Sequence, residues 1–266
     1  MFDCHTHSTY SPDSTAKIAN ACNTAAKNNL SGIIFTDHYE IDLIGSSYIF
    51  NPDFAKRKQD IENIEHKFKN KLKILEGVEI GFQPHIKDDL IKIIQKNNFD
   101  FVIASIHSVQ KEFISNGKYY ENKNNQEIYS NYLQEIYKSV SEFNDFDVVG
   151  HIGYVRRYGN LTDRNMNFKD YPEIINAILK EVIKKNKGIE INSSGYRDIL
   201  QTPIPNYDIV TEYKKLGGEI ITLGSDSHSH KTIGHSFEIV KNRLKDLGFK
   251  YIAHFEKREP KFTKII

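Results

Sequence analysis

Short apolar runs alternate with amphipathic stretches along the whole chain. Seven runs have strand character: Phe2–His5, "GIIFTDH" (32–38), "KILEGVEI" (73–80), "FVIASIH" (101–107), "DVVGHI" (147–152), "GIEINSS" (188–194) and "EIITLGSD" (219–226). Helical patterns lie between them. "DFAKRKQDIENIEHKFK" sets Phe54, Ile61, Ile64 and Phe68 on one stripe. "DDLIKIIQK", "NQEIYSNYLQEIYKSVSEF", "YPEIINAILKEVIKK", "IPNYDIVTEYKKL" and "IGHSFEIVKNRLKDL" behave similarly. "KKNKG" and "KKLGG" each put lysines in a last helical turn and glycine after it, a stop signal. Strand and helix in alternation predict parallel strands joined by helical crossovers. We expect an α/β protein of seven such units in a single domain, residues 1–266, a length common for α/β barrels. Residues 108–126, "SVQKEFISNGKYYENKNNQ", form the longest stretch without a period and read as a lid-like loop. The tail after residue 250 is expected to close the structure or cover a barrel end.

Composition narrows the classes. Hydrophobic residues at 39% and charged residues at 27% describe a globular chain. Thirty-six basic against 35 acidic side chains leave a net charge of +1, which argues against a general nucleic-acid-binding surface. No apolar stretch approaches the roughly 20 residues that span a bilayer. Residues 1–30 lack a basic segment followed by an apolar run, so we expect no signal peptide. Two cysteines, Cys4 and Cys22, are too few for a disulfide framework and point to the cytoplasm. Cys4 lies off the His5/His7 face of a regular strand and reads as a small buried residue.

Titratable residues fall at the strand ends. His5 and His7 end the first strand, and side chains two apart share a face. Asp13 follows in the first loop. His38, Glu79, His107 and His151 lie at or near the ends of strands two to five, and Asp226 and His228 follow strand seven. The C-terminal ends of parallel barrel strands converge on one face. Six of the eleven histidines sit at these positions. We read them as a metal-ligand cluster. Nitrogen and oxygen donors without cysteine favour zinc, manganese or iron. Nine ligands exceed what one ion needs and suit two or three divalent ions, which can generate a hydroxide and clamp both oxygens of a phosphate ester displacement. His66 and His85 are expected at the surface, His254 as structural, and His230 and His235 as neighbours of the last motif. Arg197 directly follows strand six and should reach the same face, where a guanidinium meets phosphate bidentately. Arg156 and Arg157 compete for a similar role. Adjacent residues point apart, so one of them should face the pocket.

"DCHTHSTYSPD", "FTDH", "EGVEIG", "ASIHS", "GHI" and "GSDSH", in this order, resemble the PHP (polymerase and histidinol phosphatase) superfamily, and within it the stand-alone histidinol-phosphate phosphatases. "GHIGYVRRYG" and "EINSSGYR" add to the likeness, which covers nearly the whole chain. The resemblance implies a distorted (β/α)7 barrel with a trinuclear metal centre at the C-terminal strand ends. It assigns His5, His7, Glu79 and Asp226 to a first metal, with Glu79 bridging to a second held with His107 and His151. Asp13, His38 and His228 would hold a third. The family's phosphate-gripping arginines fall in "VRRYG" and "GYR", which favours Arg156 beside Arg197. Many relatives carry an aspartate where this chain has Gly153. The implied activity is hydrolysis of L-histidinol phosphate to L-histidinol and phosphate by a metal-bound hydroxide, a step of histidine biosynthesis, with Asp13, Glu79, Asp226 and Arg197 as the catalytic set. The expected partner is a small-molecule phosphate ester, with neither nucleic acid nor membrane. The alternatives are a PHP-type phosphoesterase or nuclease acting on nucleotides or DNA, a metal-dependent hydrolase of carbon–nitrogen bonds, and a non-catalytic metal-binding module.

Overall fold

The computed structural model describes residues 1–44 and 46–265. Its strands are β1 (Phe2–Thr6), β2 (Gly32–Phe35), β3 (His38–Tyr39), β4 (Lys73–Gly81), β5 (Phe101–Ser105), β6 (Ser108–Val109), β7 (Glu112–Phe113), β8 (Val148–Val149), β9 (Gly188–Asn192), β10 (Ile221–Gly224), β11 (Tyr251–Glu256) and β12 (Glu259–Lys264). Its α-helices are α1 (Ile18–Lys27), α2 (Phe54–Glu65), α3 (Lys87–Asn97), α4 (Asn125–Glu142), α5 (Pro172–Lys184), α6 (Tyr207–Lys215) and α7 (Phe237–Asp246). The strands run β1-β2-β4-β5-β8-β9-β10 side by side, every pair parallel. Each crossover carries one helix. This is the seven-unit α/β barrel expected, with the helices packed outside.

The seam explains the distortion. β1 and β10 meet only at their C-terminal ends, through a Thr6–Ser227 bridge. The His7 amide donates to the Ser227 carbonyl at 2.9 Å, and the Asp226 amide to that of His5 at 2.8 Å. At the other end the tail fills the gap. β11 pairs with β10 at Thr222–Ala253, and the β11–β12 hairpin extends the sheet antiparallel. Phe255 of β11 enters the inner apolar cluster with Phe2, Cys4, Ile34, Leu75, Phe101, Ile103 and Val148. The hairpin turn is tied to the opening strands: Lys257 and Arg258 amides donate to Asp100, and Arg258 Nε to Asp147 at 2.5 Å. The tail therefore both widens the sheet and plugs the N-terminal barrel end. Above that plug the inner residues turn polar.

Two local expectations change, and one helix lies outside the patterns read above. α1 has no large apolar stripe; it buries Ile18, Ala21, Cys22 and Ala25. In "KKNKG" the left-handed position after α5 is Asn186, at φ +55°, and Gly188 already opens β9. In "KKLGG" Gly217 takes the left-handed position as expected. The 108–126 segment is a packed excursion rather than an open loop. It holds the β6–β7 hairpin and two short 3₁₀ turns, and buries Ile114, Tyr119 and Tyr120. Tyr119 and Tyr120 hydroxyls donate to the carbonyls of Ile128 and Val155.

Candidate metal centre

All nine sequence-predicted donors meet at the C-terminal barrel mouth. β1 is irregular between Asp3 and Thr6, which turns His5 inward after Cys4 has faced the apolar plug. His5 and His7 then bring their Nε2 atoms to 3.1 Å of each other. His5 Nε2 lies 3.2 Å from Glu79 Oε2 and 3.6 Å from Asp226 Oδ1. His7 Nε2 lies 3.3 Å from the same Asp226 oxygen and 3.5 Å from Glu79. On the other side of Glu79, His151 Nε2 is 2.8 Å and His107 Nε2 3.4 Å from Oε1. His38 and His228 hold their Nε2 atoms 3.6 and 3.4 Å from Asp13 Oδ2, nearer solvent. His38 also puts Nδ1 2.8 Å from Glu79 Oε2. Asp226 adopts φ +52°, an uncommon conformation for a non-glycine residue, where β10 turns into the site.

This crowding has the chemistry of a cation site. Glu79 is fully buried, and its Oε2 accepts no hydrogen bond despite three imidazole nitrogens within 3.5 Å. Three donor sets lie within ligating reach: His5, His7 and Glu79; His38, Glu79 and His107; and His7, His38 and His228.

Two further carboxylates were not legible in the sequence. Glu190 on β9 accepts from His5 Nδ1 at 2.6 Å, and Glu40 accepts from His107 Nδ1 at 2.5 Å. With a cation on Nε2, each would fix the remaining ring proton on Nδ1, as outer carboxylates do for metal-bound histidines. Glu190 also accepts from the His151 amide at 2.8 Å. Its approach needs Gly224: a Cβ there would lie 2.0 Å from Glu190 Oε1.

Electrostatics follow from this packing. Burial favours the neutral form of His5, but Glu190, Glu79 and Asp226 outweigh it and raise its pKa well above the usual imidazole range. Burial and the neighbouring His228 and His38 push His7 down to about 3. Burial opposes ionisation of Glu79 and Asp226, yet the surrounding histidines hold both well below the carboxylate range. Burial likewise opposes ionisation of Asp13, whose carboxyl is held at about 2 mainly by His228 and His38.

One of the two expected arginines is replaced by its neighbour. Arg197 reaches the mouth as predicted and donates to the Asp226 carbonyl at 3.3 Å. Arg157, not Arg156, is its companion. Arg157 lies 3.2 Å from Asp226 Oδ2, donates through Nε to Asp198 at 2.8 Å, and also bonds Ser194. Arg156 is buried and donates through Nε to the Arg164 carbonyl at 2.6 Å. The reason is the 3₁₀ turn Tyr154–Arg157, in which neighbours diverge by about a third of a turn. Gly153 opens that turn at φ +120°, a conformation in which any side chain would be strained. Arg157, Arg197, Ser194, Asp198, Asp226 and His228 line an open pocket of about 540 Å³ beside the donors. His85 lies at the surface as expected and pairs with Asp42, and buried His254 stacks on Phe2.

The chain is similar to known proteins along nearly its whole length. The PHP domain model matches residues 3–194. A curated relative from Lactococcus lactis named histidinol-phosphatase is 33% identical over 95% of this chain and 93% of its own. A probable histidinol-phosphatase from Clostridium acetobutylicum is 29% identical over 99% and 100%. Among solved structures, histidinol phosphate phosphatase from Lactococcus lactis in complex with zinc, L-histidinol and phosphate superposes with a TM-score of 0.91 at 31% identity, over 98% of both chains. A donor cluster at the mouth of a seven-unit barrel, carried by a chain this similar along its length, makes this protein a member of the PHP domain family.

Proposed function

We propose that this protein is a histidinol-phosphate phosphatase, a metal-dependent phosphomonoesterase that hydrolyses L-histidinol phosphate to L-histidinol and inorganic phosphate. The observation that carries this reading is the donor cluster at the barrel mouth beside an open pocket that two guanidinium groups, Arg157 and Arg197, line together with the donors Asp226 and His228. The likeness to the Lactococcus lactis enzyme, bound to zinc, L-histidinol and phosphate, supports the substrate.

In this reading His5, His7, Glu79 and Asp226 would hold one divalent ion. Glu79 would also serve a second, with His107 and His151, and Asp13, His38 and His228 would hold a third. Zinc, manganese and iron all suit the donors. Divalent ions bound there lower the pKa of a coordinated water and withdraw charge from phosphate oxygens. Arg157 and Arg197 grip the non-bridging oxygens, whose charge must be balanced as phosphorus is attacked. Asp226 positions Arg157 while its other oxygen faces the histidines. Asp13, whose carboxyl His228 and His38 hold down to about 2 against the effect of burial, would serve as a ligand. No helix is long and apolar enough to cross a membrane among the described residues; we place the enzyme in the cytoplasm, acting on a soluble small molecule.

Phosphate release from L-histidinol phosphate tests this reading in purified, chelator-stripped and metal-restored protein. Stripping should abolish turnover and zinc, manganese or iron should restore it. Full turnover in thoroughly stripped protein would overturn the metal chemistry.

A further inference from the structure

A second set of buried polar groups lies behind His7 and His38, outside the donors and the phosphate pocket. Arg57 projects from α2 and is completely buried, its guanidinium over the Phe54 and Phe99 rings. It donates to Asp37 Oδ2 at 3.1 Å and to the Gly77 carbonyl on β4 at 2.7 Å, two residues before Glu79. Asp37 accepts from the Ser8 amide at 2.6 Å, from the Ser8 hydroxyl at 2.8 Å and from the Ser11 hydroxyl at 2.9 Å. Ser11 Oγ also accepts from the His38 amide at 3.1 Å and lies 3.3 Å from His7 Nδ1.

The directions of these bonds are forced. A carboxylate only accepts, so the one Ser11 hydroxyl proton goes to Asp37. Ser11 can therefore only accept from His7, which puts the His7 proton on Nδ1 and its lone pair on Nε2. That atom faces His5, Glu79 and Asp226. Asp37 is held in place by Arg57, so its carboxylate is neither uncompensated nor free to rotate. The tautomers of His5 and His107 are set directly by Glu190 and Glu40; among the described residues no carboxylate touches His7 Nδ1.

We propose that Ser11, Asp37 and Arg57 form a positioning relay that substitutes for a direct carboxylate at His7, fixing its tautomer and, through the His38 amide, the backbone of a second ligand. None of the three touches substrate. The proposal rests on the reading of the cluster as a metal centre, and it makes Ser11 a determinant of metal affinity. Outer partners of this kind are worth about 10–100-fold in affinity.

The test is zinc affinity of the full-length protein, measured by chelator competition for the parent, Ser11→Ala, Ser11→Thr and Ser8→Ala. Ser11→Ala should weaken at least one bound zinc about 10–100-fold. Ser11→Thr, which keeps the hydroxyl, should stay within about threefold of the parent. Ser8→Ala removes a bond to the same carboxylate without touching a histidine and should also stay within about threefold. Parent-like affinity in Ser11→Ala, or an equal loss in Ser8→Ala, would overturn the relay. Long-range ¹H–¹⁵N correlations on the zinc-loaded parent give a check that needs no variant: the His7 proton should sit on Nδ1 beside the Ser11 oxygen, and no Nδ1 proton would refute the relay. A parent protein that binds no zinc, manganese or iron would instead remove the metal reading itself, and the relay with it.

Discussion

Arg156 and Arg157 show how one residue decides what a site can hold. Both carry the same charge, but only Arg157 faces the pocket, and the two should fail in different ways. Arg157→Ala should lower kcat/KM for the phosphate ester by about 10²-fold, the scale of losing one charge-stabilising donor, with thermal stability little changed. Lysine at 157 should recover only part, since a point charge cannot copy a planar fork. Arg156→Ala should leave the KM near that of the parent and lower the melting temperature, because it empties the buried space of the Arg156 side chain and removes its bond to the Arg164 carbonyl. Steady-state kinetics beside a thermal melt separates the two; equal kinetic losses would contradict the placement. Legibility divides along the same line. Each of the nine donors was readable because it ends a strand or follows one closely, and parallel strands deliver their ends to one face. Glu190 was hidden within "GIEINSS", because whether a strand carboxylate reaches His5 depends on barrel stagger and on the space left by Gly224. The choice of arginine was unreadable for a different reason: alternation between faces holds on a strand, and these residues stand on a 3₁₀ turn.

Among the elements, the amphipathic helices and apolar strands were legible because their periods differ, and burial rewards one period in each. α1 escaped although Ile18, Ala21, Cys22 and Ala25 keep helical spacing, because three of these four buried residues are small. The β11–β12 hairpin escaped because its turn, Lys257–Arg258, takes positive φ at both residues without the glycine or asparagine that usually announces one. Its role is structural and can be weighed. Phe255 stacks on Phe101 with ring centroids 5.2 Å apart in the inner cluster. Phe255→Ala should cost about 3–5 kcal/mol, the range for deleting a buried aromatic side chain. Urea unfolding would read this as a lower midpoint with an unchanged slope. A loss below about 1 kcal/mol would mean that the hairpin does not plug the barrel.

For the whole molecule, the donors come from both ends of the chain, from Asp13 and His5 to Asp226 and His228, and are gathered only by barrel closure. Bound ions would cross-link β1, β3, β4 and the segments after β5, β8 and β10. Ligands that bind only the folded state stabilise it by mass action, by about 2.7 kcal/mol at a hundred times the dissociation constant. The melting temperature should therefore rise with added zinc or manganese and fall on chelation, and Asp226→Asn should blunt the response. A melting temperature indifferent to metal would argue against ions at this mouth.

The identity of the reaction is tested most directly by kcat/KM of the metal-loaded protein on L-histidinol phosphate, a nucleoside monophosphate, a sugar phosphate and single-stranded DNA. Two arginines in a pocket of about 540 Å³ suit a small monoester, and the account predicts that L-histidinol phosphate is hydrolysed with the highest kcat/KM of the four. A tenfold advantage for any of the other three would contradict it.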